Sequence, residues 1–194
     1  MSSLPTTTQA FSARFTGVAI GLHWLIAVAI VGSFSVGLYM VDLPLSPQKL
    51  KLYSWHKWAG VTIFLFVMLR LVWRLSHRPP EMPAGMPAWQ RKAAEATHVM
   101  LYLLMLAVPL SGWLMSSAKG FQTVWFGVLP LPDLLDKNKE LGDLLQEVHE
   151  LLNFGMAALV IAHLGAALKH HFIDRDDVLA RMLPFLARTT GDIK

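Results

Sequence analysis

"EVHELLNFGMAALVIAHLGAALKHH" runs from Glu147 to His171. Its centre, Leu151 to Leu168, holds no charged residue, and a single histidine, His163, stands within it. A helix that crosses a bilayer needs about 20 apolar residues, with a range near 17–25. This stretch meets that length, so it reads as a membrane span. A titratable side chain inside such a span is costly and points to function. A second histidine, His149, lies 14 residues upstream at the start of the run. At about 100° per residue, that spacing brings the two imidazoles within about 40° of one face and about 21 Å apart along the axis. One helix therefore offers two imidazoles on one face at two levels.

Three further apolar runs stand out: Phe15–Val41, about His56–Leu75, and Ala96–Ala118, the last without charge. All are long enough to span. The first holds one histidine, His23, and no charged residue. It is too long for a signal-peptide core and lacks a clear small-residue cleavage site, so it reads as an uncleaved membrane helix. The expected fold is all-α: an integral membrane four-helix bundle in a single domain, 1–194. Its helices are expected at about 15–41, 56–75, 94–118 and 147–172, followed by a cytoplasmic tail, 173–194.

Composition agrees. The 194 residues are 54% hydrophobic and only 15% charged, where a soluble domain carries about a quarter. The absence of cysteine excludes disulfides, thiolate metal sites, iron–sulfur clusters and thiol catalysis. The net charge of +4 does not indicate nucleic acid, because the cations cluster at the ends of the apolar runs. Arg14, Arg74, Arg78, Arg91, Lys92, Lys169, Arg175, Arg181, Arg188 and Lys194 fall on one side. Lys49, Lys51, Lys57, Lys119, Lys137 and Lys139 fall on the other. Excess basic residues mark the cytoplasmic side, so both termini are expected there. The proline-rich loop from Ser76 to Arg91 should be extended. In the long loop from Lys119 to Gln146, residues 133–152 read as helical. That helix either extends the fourth span outward or lies along the surface.

The histidines sort by depth. His56 opens the second helix and His149 the fourth, both at the outer side. His23 lies about 12 Å from the cytoplasmic end of its helix, and His163 about 13 Å from the end of its own. His56 thus matches His149 in level, and His23 matches His163. This is the geometry for two stacked cofactors with axial histidines, and haem iron takes such ligands. Arg70 follows His56 by 14 residues, on the same face one level down. It requires an anion, such as a haem propionate, or a route to the interface. His98, near the cytoplasmic end of the third helix, competes with His23 for the inner level. His170, seven residues after His163 and closer to water, suits a quinone headgroup or a propionate. Gly17, Gly21, Gly60, Gly155 and Gly165 lie near these histidines, but helix packing accounts for them equally. Trp55, Trp58, Trp73, Trp113 and Trp125 read as an interfacial aromatic belt.

Other classes fit less well. A metal or proton transporter places Asp or Glu within its spans, and the clear interiors of these four have neither. A purely structural anchor leaves four level-matched histidines unexplained. No segment carries a hydrolase's nucleophile–base signature.

At these residues the chain resembles the prokaryotic cytochrome b561 family of di-haem b membrane proteins. The resemblance rests on "GLHW" (21–24), "WHKWAG" (55–60), "MLRLVWRL" (68–75), "THVMLYLLML" (97–106), "EVHELL" (147–152) and "AHLGAALKHHFIDRD" (162–176), and covers nearly the whole chain. It implies four helices in the bacterial inner membrane, two haems b, and electron exchange with the quinone pool, ubiquinone in particular. His23 and His163 would bind the inner haem, His56 and His149 the outer one. His98 and His170 match positions near a quinone site. Members differ in donor: some resemble a superoxide oxidase, others serve as cytochrome subunits of hydrogenases or other dehydrogenases. A periplasmic redox partner is therefore an alternative to superoxide. An anionic donor would benefit from cations at the outer mouth. The six outer lysines are opposed there by Asp42, Asp133, Asp136, Glu140, Asp143, Glu147 and Glu150, so the net field is near neutral.

Overall fold

The computed structural model describes residues 14–83 and 85–186. Arg188 and Lys194, counted above among the cytoplasmic cations, lie outside the described residues. Four long helices form: α1 (Gly17–Val41), α2 (Pro47–Ser76), α3 (Ala88–Ala118) and α4 (Lys139–Lys169). Each is long and apolar enough to cross a membrane, with mean hydropathies of 1.7 to 2.1 over their most apolar windows. The all-α membrane bundle expected from the apolar runs is the observed architecture.

Three helices begin earlier than the apolar runs suggested. α2 starts at residue 47 rather than about 56, α3 at 88 rather than about 94, and α4 at 139 rather than about 147; the helix expected over 133–152 thus begins at 139 and extends the fourth span. Capping sets these ends. The Ser46 hydroxyl accepts from the Lys49 N–H at 3.2 Å, and Pro47 occupies the first turn, where its missing N–H costs nothing. Asn138 caps α4 through the Leu141 N–H at 3.0 Å. The apolar boundary marks where hydrocarbon would end; the helix continues to the next residue that satisfies its free N–H groups. His56 and His149 therefore do not open their helices. They lie about 13–15 Å inside them, counting 1.5 Å per residue from the first helical residue.

α1 packs on α2, α2 on α3, and α3 on α4, and these are the main helix pairs among the described residues. The ring is closed by side chains. Phe34 of α1 meets Phe154 of α4 edge to face at 6.0 Å. The core among the described residues is thin: Ile26, Ile63 and Val67 form its one buried cluster. Many large apolar side chains are exposed, Val28, Val72, Leu151 and Ile161 among them, as suits a surface solvated by lipid.

At one end, the α3–α4 connection forms a short hairpin of β1 (Val124–Trp125) and β2 (Leu129–Pro130), paired antiparallel. Three residues, 126–128, join the strands, and the turn places Phe126 at φ 50° and Gly127 at φ 72°, both in the left-handed region. The hairpin is anchored to α2. The Trp58 indole donates to the Val124 carbonyl at 2.6 Å, and Trp125 donates to the Thr62 hydroxyl at 3.2 Å. The Lys57 ammonium donates to the Phe121 and Gln122 carbonyls at 3.1 and 3.2 Å. Four of the five tryptophans read as an interfacial belt are thus also struts: beside Trp58 and Trp125, Trp113 donates to the Pro132 carbonyl, and Trp73 to the Thr16 hydroxyl.

At the other end, α4 widens into a π-helical turn (His170–Asp174), then stops at Arg175 with φ 55°. The chain turns back beneath the bundle. The Trp24 indole donates to the Met182 carbonyl at 2.9 Å, and Arg181 donates to the Glu81 carbonyl while pairing with Asp177. This end, which carries both described chain ends, is called the terminal end below; the other is the hairpin end.

Candidate functional site

α4 carries both His149 and His163, and each faces an imidazole from another helix. The centroid of His149 lies 6.3 Å from that of His56 on α2, with ring planes at 90°. The centroid of His163 lies 6.2 Å from that of His23 on α1, with planes at 68°. All four rings are half-buried. A metal held by two imidazole nitrogens at about 2.0 Å, with each ring centre about 1.2 Å behind its nitrogen, sets the centroids about 6 Å apart and leaves their twist free. Both pairs meet that span. His98 of α3 also reaches the terminal level, but its ring packs edge-on against His163 at 5.4 Å. That is shorter than an interposed metal requires.

The hairpin-end pair has a defined tautomer. His56 Nδ1 lies 3.1 Å from the Ser33 carbonyl and 3.2 Å from the Ser33 hydroxyl. His149 Nδ1 lies 3.1 Å from the Val108 carbonyl and 2.9 Å from the Ser111 hydroxyl. A carbonyl only accepts, so each Nδ1 carries the proton. In the neutral ring the lone pair is then on Nε2, the atom free to bind a metal. Histidine ligands commonly donate their other N–H to a carbonyl in this way.

Two glycines make this possible. A Cβ on Gly37 would stand 3.3 Å from His56 Cε1, and one on Gly112 would stand 3.1 Å from His149 Cε1. Each glycine is four residues after the carbonyl that takes the Nδ1 proton: Ser33 then Gly37, Val108 then Gly112. On a helix that offset is the next turn on the same face. The missing side chain thus lets the ring lie against the helix within reach of the carbonyl. The glycines that stand near the histidines in sequence, Gly17, Gly21, Gly60, Gly155 and Gly165, face open space instead, with nothing beyond their own helical turn within 4 Å of a Cβ position. No local pattern marks the other two, because the rings that lie against Gly37 and Gly112 come from other helices.

Around the hairpin-end pair, Ile30, Phe34, Ile63, Met105 and Met156 form an apolar wall, and the Asn153 amide donates to the His149 carbonyl at 2.7 Å. At the terminal level, Arg70 donates from Nε to the Tyr102 hydroxyl at 3.0 Å and from Nη1 to the Ala19 carbonyl at 2.9 Å. Ala19 is one turn before His23, so Arg70 reaches the terminal level as its spacing from His56 suggested. His170 stands where α4 turns π-helical. Its Nδ1 lies 2.6 Å from Asp176 Oδ2 and 3.3 Å from Asp174 Oδ2. Among the described residues it makes no ring contact with His23, His98 or His163.

These donors fit haem: imidazoles in opposed pairs, an apolar wall around the hairpin-end pair, and no carboxylate or thiolate among the ligand candidates. The comparisons agree. A profile described as prokaryotic cytochrome b561 matches residues 14–185. "Cytochrome b561 homolog 2" of Escherichia coli (strain K12) is 35% identical over 171 residues, covering 88% of this chain and 91% of that protein. "Cytochrome b561 homolog 1" of the same strain is 33% identical, covering 88% and 97%. A Yersinia pestis protein named "Probable superoxide oxidase CybB" is 30% identical over 174 residues, covering 88% and 96%. Four apolar helices, two opposed histidine pairs and a match along nearly the whole length lead to one family: the chain is a member of the prokaryotic cytochrome b561 family, membrane proteins that bind haem b and transfer electrons.

Proposed function

We propose that this chain is a di-haem b cytochrome of the bacterial inner membrane that moves electrons between a donor on the outer side and the quinone pool, with ubiquinone as its substrate. The observation that carries the count of two is the pairing on α4: His149 opposes His56 at 6.3 Å, and His163 opposes His23 at 6.2 Å. His56 and His149 hold the outer haem, His23 and His163 the inner one. The haems supply one-electron redox chemistry. The chain presents Nε2 lone pairs at fixed orientation, excludes water with apolar walls, and offers the Arg70 guanidinium to a carboxylate at the inner level. His98 packs on His163 as a neighbour rather than a ligand. His170, held by Asp174 and Asp176, presents Nε2 for a quinone oxygen. The basic excess at the terminal end supports a cytoplasmic placement of both termini.

The name of the Yersinia relative supports superoxide as donor. The steering cations are fewer than the six outer lysines suggest. Lys49 is spent on the Val41 and Leu43 carbonyls, Lys57 on the hairpin, and Lys119 on Asp143 and Gln146. The experiment that tests the reading is a haem assay on purified protein with a reduced-minus-oxidised spectrum. About two low-spin b haems per chain are expected; a folded, monodisperse sample without haem refutes the reading. Superoxide-driven reduction of ubiquinone then tests the donor, and two intact haems without that activity move the donor to a partner dehydrogenase or hydrogenase. His98→Ala should keep both haems, and loss of one in the same assay would make His98 the inner ligand in place of His23.

A further inference from the structure

At the terminal end, between the start of α1 and the last turns of α2, lies a cavity of about 50 Å³. That is several times the 10–15 Å³ or so that one water needs. Four arginines line it, Arg14, Arg70, Arg74 and Arg78, and no acidic residue does. Among the described residues none of the four is paired with a carboxylate. Arg14, Arg74 and Arg78 are exposed and Arg70 is half-buried, so the cavity opens outward with its like charges gathered at the mouth, an arrangement that an anion relieves.

The walls are built rather than accidental. Tyr102 organises two of the arginines: its hydroxyl accepts from Arg70 Nε at 3.0 Å, and its ring lies beneath the Arg74 guanidinium at 5.6 Å. Trp73 ties the two helix ends together, donating to the Thr16 hydroxyl at 2.9 Å and stacking flat on His77 at 3.9 Å. Thr16 caps α1 and His77 ends α2, so the cavity sits at the level where both membrane helices stop. That is the depth of lipid headgroups.

We infer that this cavity binds the phosphate of an anionic phospholipid in the leaflet on the terminal side. A phosphodiester carries a full negative charge, and its tetrahedral oxygens accept planar guanidinium forks from several directions; in phosphatidylethanolamine the headgroup ammonium offsets that charge and is repelled by the same arginines, whereas an anionic lipid carries no such cation. Arg14, Arg74 and Arg78 form the rim that meets the phosphate. Arg70 is deeper, with two of its donors already used, and belongs to the inner level. The inference requires membrane insertion but not the proposed donor or haem assignment.

The test uses the haem-loaded protein in a mixture of phosphatidylglycerol and phosphatidylethanolamine, with retained lipid counted by native mass spectrometry. The wild type should prefer phosphatidylglycerol. The triple variant Arg14→Gln, Arg74→Gln, Arg78→Gln should lower that preference at least about tenfold, the scale of losing charge-assisted hydrogen bonds. Haem content is read in the same samples and should not change. Three results overturn the inference: equal retention of both lipids by the wild type, an unchanged preference in the variant, or displacement of the lipid by inorganic phosphate at equal concentration. Loss of a haem with lipid retention intact would overturn it too, by assigning the rim arginines to the cofactor's carboxylates.

Discussion

His163→Ala is expected to lower haem content from about two per chain to about one. On the proposed assignment the lost haem is the inner one, because His163 is the imidazole opposed to His23 at 6.2 Å. His149 and its partner lie about 21 Å away along α4, far enough for the outer site to keep its spectrum. Electron transfer from an outer donor to quinone should fall to background, since half of the path is gone. His98 does not rescue the site, because its own neighbour at this level is the deleted ring. The measurement is haem per chain together with the reduced-minus-oxidised spectrum. Two haems with unchanged low-spin bands would end the assignment of His163.

Gly112→Val should act on the other site. The first added carbon alone would stand 3.1 Å from His149 Cε1 and 3.4 Å from Nδ1. The ring cannot withdraw without stretching its bonds to the Val108 carbonyl and the Ser111 hydroxyl, at 3.1 and 2.9 Å. Either response misdirects Nε2. Disturbing the partners that orient a histidine ligand costs about 10–100-fold in affinity for the metal centre, and a loss of that order is expected for the outer haem alone. Gly32→Val is the matched control, because nothing beyond its own helical turn lies within 4 Å of its Cβ position. Elution as a monodisperse species separates a site defect from misfolding. An outer haem held as tightly in Gly112→Val as in wild type would show that the glycine serves packing only.

Much of this protein was legible along the chain because the bilayer is a demanding solvent. Every spanning segment must satisfy its own backbone and cover about 30 Å of hydrocarbon, so Phe15–Val41 and its counterparts stand out by length alone. The spacing of His149 and His163 was equally legible, since two positions on one helix share a face by arithmetic. Helix ends were less so. Ser46 with Pro47, and Asn138, lie beyond the apolar runs, so the apolar pattern stopped short of the caps that begin α2 and α4. The hairpin at 124–130 was missed because its strands are two residues each, too short for an alternating pattern to show.

The sequence by itself determined the number of spans, their order, and which helix carries two histidines at two levels. These are properties of one helix at a time. Which imidazole faces which was decided only by the tertiary structure, because it depends on how α1, α2 and α3 rotate about their axes against α4. That rotation sets His23 at 6.2 Å and His98 at 5.4 Å from His163, ring centre to ring centre. It also lays Gly37 and Gly112 under rings from other helices, and points the Ser33 and Val108 carbonyls at Nδ1. Contacts of this kind join residues 23 to 41 positions apart in the chain, and no local period records them.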